Sequence, residues 1–181
     1  MLPDILSGSR CWRVSMKEVT IDEIKKILGS REERIRELWR RSRGLYEELE
    51  NHEELIKSVS LPSSNSLYEN QLNEKNRDLF DVIIRQKQLG YEQEQEIGQL
   101  LLEINGEIEQ INRIWICYQM LRGRPFHIVT RLYVDRELYR IVETESRMNH
   151  RAFETMRKNA LESIKANYES KETTIELIRK I

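Results

Sequence analysis

The ten residues 149–158 hold the densest set of side chains able to do chemistry in this 181-residue chain: Asn149, His150, Arg151, Glu154, Thr155, Arg157 and Lys158. Asn149 is a preferred type of helix N-cap, so the polar residues behind it project from the first turns of a helix. An arginine there can fork onto the two acceptors of guanine, and a glutamate can accept from the cytosine amino group. Reading base edges is the chemistry this set suits. Five further arginines, Arg122, Arg124, Arg131, Arg140 and Arg147, are suited to phosphate contacts, which fix position without reading sequence.

Other chemistry finds little support. The chain has no GxxxxGK[ST], HExxH or GxSxG pattern, and helical carboxylates make no acid/base pair without a pocket to perturb them. His52, His127 and His150 are dispersed and lack metal-ligand spacing. No cofactor, no metal and no enzymatic activity are expected. Cys11 and Cys117 belong to no CxxC motif, which suits a reducing, cytoplasmic setting. Cys117 lies on an apolar helix face and reads as a small buried hydrophobe. The apolar runs are too short for a membrane span. Residues 1–15 lack the apolar centre of a signal peptide, and Met16 offers an alternative translation start.

The charge is unevenly spread. Over 16–110 there are 14 Lys/Arg against 21 Asp/Glu, a balance of −7; over 121–165 there are 10 against 6, a balance of +4. The basic segment is where a polyanion would bind, despite a net charge of −1 for the whole chain.

The elements that must position these residues read as helices throughout. Gly and Pro number only 7 and 3, and good helix formers dominate. Thr20 followed by Glu23 forms a capping box. Beyond it Ile24, Leu28, Ile35, Leu38, Leu45, Leu49, Ile56 and Val59 recur at heptad spacing, with Arg31, Ser42 and His52 filling the gaps. Gly29-Ser30 and Gly44 are expected places for a break. Residues 61–66, with Pro62 and several serines, read as a loop. A second long helix is expected over about 67–121, striped by Ile97, Leu101, Ile104, Ile108, Ile111, Trp115 and Tyr118. Its Gln/Glu-rich middle, 86–99, is either exposed or a break. Two such helices can fold back as a hairpin or pair with a second chain, and periodicity leaves both open.

Arg122-Gly123-Arg124-Pro125 is expected to end the long helix. Three short helices follow. The first spans Phe126 to about Tyr133. The second spans about Arg136 to Glu145, with Leu138, Ile141 and Val142 facing inward. The third begins at Asn149 and reaches about Tyr168, burying Ala152, Phe153, Met156, Ala160, Leu161 and Ile164. Met148 is placed to plug the angle between the second and third. This is the pattern of a helix-turn-helix, whose second helix enters the major groove.

Residues 133–161 resemble region four of sigma factors. Tyr139, Val142, Met148 and Asn149 take the places of that region's Tyr-x-x-Ile and turn pattern. Phe153, Lys158, Ala160 and Leu161 match its recognition helix. Glu143, Ser146 and Arg147 depart from it, standing where Ala, Leu and Gly are preferred. The wider layout is similar to the ArpU/RinA-type phage transcription regulators. The resemblance implies promoter binding in phage or mobile-element genes, with double-stranded DNA as partner and RNA polymerase as a second candidate. The chain is thus expected to be all-α: an extension over 1–19, a coiled-coil-like arm over 20–121 that supports a homo-oligomer, and a DNA-binding domain over 122–181. Two alternatives stay open. One is a small-terminase-like packaging adaptor; the other is a structural coiled-coil protein whose basic helices bind protein.

Overall fold

A computed structural model describes the backbone of residues 18–59 and 74–181 and the side chains of 18–51, 84–85 and 87–181. Six helices, and no strand, occur among the described residues: α1 Ile21–Val59, α2 Glu74–Gln119, α3 Arg124–Val129, α4 Tyr139–Glu145, α5 His150–Tyr168 and α6 Thr174–Ile178. A π-helical turn, Thr130–Val134, continues α3. No helix among the described residues is long and apolar enough to cross a membrane. Residues 1–17 of the expected extension, the loop at 61–66 and residues 67–73 of the expected second helix lie outside the described residues, as do the side chains of His52, Ile56 and Val59.

The described chain forms two compact units. One, here called the module, comprises 18–32 and 109–181, so the start of α1 and the end of α2 belong with the C-terminal helices. The other, the arm, is Glu33–Ile108.

In the arm, the two long helices lie side by side within one chain. Leu45, Glu48 and Asn51 of α1 line one groove together with Gln93, Glu96, Ile97 and Leu100 of α2. Where its side chains are described, the heptad stripe points inward: Leu38, Ser42, Leu101 and Ile104 are buried, and Ile35, Leu45, Leu49, Ile97 and Ile108 are half-buried. Neither expected break at Gly44 nor one over 86–99 occurs. The helices run through both, and the Gln/Glu-rich stretch is mostly exposed.

The module starts with the capping box read from the sequence. The Thr20 amide donates to Glu23 Oε2 at 2.8 Å, and the Glu23 amide donates to Thr20 Oγ1 at 3.3 Å. α1 then kinks at Ser30, whose φ of −125° and ψ of 17° leave the helix. Gly29 has a packing reason. A Cβ there would stand 2.9 Å from the carbonyl oxygen of Tyr133, and the Arg136 guanidinium donates to the Gly29 carbonyl. The α1 start also meets the end of α2: Arg31 donates to Asn112 Oδ1 at 3.2 Å and stacks 4.6 Å over the Trp115 ring. Cys117 is fully buried, and burial pushes its thiol up to about 11, so it behaves as an inert apolar filler.

Three boundaries differ from expectation. The long helix stops at the break read from Arg122-Gly123-Arg124-Pro125, two residues earlier than expected. That helix ends at Gln119, and Pro125 sits in the first turn of α3, where a missing amide costs nothing. Gly123 takes a φ of 65° to make the turn. The helix expected from Arg136 begins only at Tyr139, with Leu138 extended before it. This shift turns Leu138 and Ile141 outward, at 71% and 45% exposure, and brings Tyr139 in against Phe153 at 5.3 Å between ring centroids. Finally, α6 was not anticipated, although Thr173 and Glu176 form a capping box at its start.

Candidate nucleic-acid interface

The turn between α4 and α5 is built by local polar contacts. Ser146 Oγ donates to the Glu143 carbonyl at 2.7 Å and accepts from the Met148 amide at 3.3 Å. Arg147 then adopts a left-handed φ of 53°. That conformation favours glycine, and a side chain there costs about 1–2 kcal/mol. Met148 packs against the cluster of Ile128, Val142 and Phe153, as its place in the turn suggested. Asn149 caps α5 by accepting from the Ala152 amide at 2.7 Å. Its capped helix runs to Tyr168 and buries Phe153, Ala160, Leu161 and Ile164.

A four-residue polar network fixes α5 to its neighbours. Tyr139 on α4 donates its hydroxyl to Glu154 Oε1 at 2.5 Å. Arg157 grips Glu154 through both oxygens, at 3.1 and 2.7 Å, and donates to the Tyr133 hydroxyl at 2.7 Å. The Arg157 and Tyr139 hydrogen bonds hold the Glu154 carboxyl down at about 2. Desolvation, and then the bond to Glu154, push the Tyr139 phenol up to about 12. Glu154 and Arg157 therefore face inward and serve the fold; their i,i+3 spacing suits the pair, but Arg151 stands equally far from Glu154 on its other side.

The other nominated residues divide in two. Arg131 is engaged internally, paired with Glu137 and Glu145. Arg122 donates to the carbonyl of Ile181 at 2.6 Å. His150 is exposed but contacts Glu143 at 2.6 Å, linking α5 to α4. In contrast, Arg124, Arg140, Arg147 and Arg151 are exposed and hold no ion pair among the described residues. Thr155 and Lys158 are exposed as well, and the Thr155 hydroxyl donates to the Arg151 carbonyl at 2.8 Å.

One buried cation escaped the sequence reading. Arg113 is 5% exposed inside the apolar stretch of α2. It donates to the carbonyls of Tyr168 and Ser170, each at 3.0 Å, and to Thr174 Oγ1 at 3.4 Å. A guanidinium at the C-terminal end of α5 satisfies carbonyls that the helix leaves open and suits its dipole. It also ties α5 and α6 to α2. Tyr118, stacked on Phe126 at 5.1 Å and bonded to Thr130 at 2.7 Å, ties α3 to the same helix.

The arrangement is thus a supported helix, capped at its start, that exposes arginines in its first turn and in the turn before it. Such a surface can bind a polyanion. No protein-family model matches the chain, and neither does any curated protein or solved structure.

Proposed function

We propose that the chain binds duplex DNA in a sequence-specific manner through α5 and regulates transcription of phage or mobile-element genes at a promoter. The observation that carries this reading is the capped start of α5. Arg151, Thr155 and Lys158 are exposed there, while Phe153, Ala160 and Leu161 anchor the opposite side in the module core. A helix held this way can present side chains to base edges without losing its own packing. In this reading Arg151 and Thr155 face the bases, and Arg124, Arg140 and Arg147 meet the phosphates. RNA polymerase as a second partner follows from the sigma-like pattern alone.

Titration of the full chain with duplex DNA at increasing salt tests the proposal. Three phosphate-bound arginines give a log–log slope of about −3 per protomer. A folded chain that ignores DNA at low salt rules the reading out.

A packaging adaptor is the second reading. The observation that favours it is the apolar surface of the arm, where Trp39, Tyr46, Tyr91 and Leu102 are each more than half exposed. A ring would bury such a surface, and a solution mass well above that of a dimer would point to it.

A further inference from the structure

An open groove of about 930 Å³ runs along α5 beside the exposed Arg151. Its floor is apolar: Leu121, Pro125, Met148, Ala152, Met156 and Ala160. Its rim includes Arg151 and Thr155, and no carboxylate is among its lining residues. The surrounding segment, 121–165, carries 10 Lys/Arg against 6 Asp/Glu.

A groove with a cationic rim and no acid suits an anionic occupant. Its apolar floor asks that this occupant also offer apolar surface at the same place. The major-groove edge of duplex DNA meets both demands. Its phosphates flank the groove, and its one apolar group is the C5-methyl of thymine, for which Ala and the Thr methyl are fitting contacts. Arg151 and Thr155 lie four residues apart on one helix face, with Ala152 beside them. A base edge that reaches Arg151 therefore also meets the Thr155 methyl and the Ala152 Cβ.

We infer that this groove reads thymine by its 5-methyl group, with Thr155 and Ala152 as the contacting side chains. The inference rests on the DNA-binding reading and adds to it a named chemical group on the DNA. Neither the guanidinium of Arg151 nor the phosphate contacts supply this discrimination, because uracil differs from thymine only by the methyl.

The test uses the full chain and a duplex selected by it from a random library. Each thymine of the selected site is replaced in turn by deoxyuridine. At one or two positions the loss of the methyl is expected to weaken binding about fourfold, the worth of one buried methyl-sized group. Thr155→Ser keeps the hydroxyl that donates to the Arg151 carbonyl and removes only the methyl. It is expected to narrow the difference between thymine and uracil duplexes to about twofold, because the Ala152 contact remains. Tight binding with parity of the two bases at every position overturns the inference and leaves the groove to a protein partner. A selected site without any thymine does the same. Failure to enrich any sequence overturns the DNA-binding reading itself, a result plainly distinct from the other two.

Discussion

The module and the arm are both built from amphipathic helices, yet they close over very different cores. The module surrounds its core with short elements set against the ends of α1 and α2. Phe153, Leu161, Ile164 and Leu177 are all but inaccessible as a result. The arm has only two helices, and each can turn one stripe toward the other. Leu38, Leu101 and Ile104 are buried on that stripe, while Trp39, Tyr91 and Leu102 remain 56%, 63% and 64% exposed. Two helices cannot cover more than one face of each other, so further apolar residues stay in water. The module closes over more of its apolar surface, yet Leu138 and Ile175 stay exposed there beside Arg124, Arg140, Arg147 and Arg151. The two units therefore differ in how much core the same kind of helix can close over.

The sharpest way to break this comparison is to empty the module core. Phe153→Ala is expected to cost about 3–5 kcal/mol, a large share of a domain's stability. Hydrogen exchange should show protection lost across α3 to α5 while residues 84–108 keep theirs. Equal loss along the whole chain would mean that the two units are not separable.

Arg113→Met comes next, at about 3 kcal/mol, because it strands buried carbonyls that an ionised donor had satisfied. Protection of α6 should fall first, ahead of α4. An α6 as well protected as before would show that the buried cation is not what holds it.

Glu154→Gln probes the network behind the exposed face of α5. Glu154 titrates lower in the folded chain than its ordinary 4.5, at about 2. Its contribution is thus complete above the ordinary value and is lost as pH falls from about 5 toward 2. The variant is expected to be about 1.5–2 kcal/mol less stable at pH 7. Its acid limb should be correspondingly flatter in urea unfolding at several pH values. Parallel pH profiles for the two proteins would show that the carboxylate is not stabilised by its partners.

The smallest effect on folding belongs to the arm surface. Trp39→Ser with Leu102→Ser should change stability by less than about 1 kcal/mol in total, since both are exposed. The same pair should lower the mass seen in sedimentation, because it removes the apolar surface a second chain would cover. An unchanged oligomeric mass would sharpen the comparison against an association role for this face.

Features whose causes are local were legible in the sequence. The Thr20–Glu23 box and the Asn149 cap each need only residues three apart, and both form as read. The heptad stripe of the arm was legible because burial of one face has a fixed period. What was not legible depends on tertiary position. Leu138 and Ile141 have a helical pattern, but the phase was set by Leu138 being extended before α4, and Tyr139 took the inward place. Arg113 carried no local signal of its burial, because its acceptors lie 55 and 57 residues away. The Thr173–Glu176 box was a local signal for α6 that passed unused. Among the nominated DNA-contact residues, sequence could not separate Arg151, which is exposed, from Arg157, which grips Glu154 and Tyr133. That distinction depends on which side of α5 the module covers.

The same distinction supplies the most direct measurement. The full chain, Arg151→Ala and Arg140→Ala should be titrated against a selected duplex and a scrambled one at matched salt. If α5 reads bases, Arg151→Ala should cost about 1–3 kcal/mol on the selected site and little on the scrambled one. Arg140→Ala should weaken both by a similar factor and flatten the salt slope by about one unit. Equal losses for Arg151→Ala on both duplexes, or selective loss for Arg140→Ala, would contradict the assignment of α5 as the helix that reads sequence.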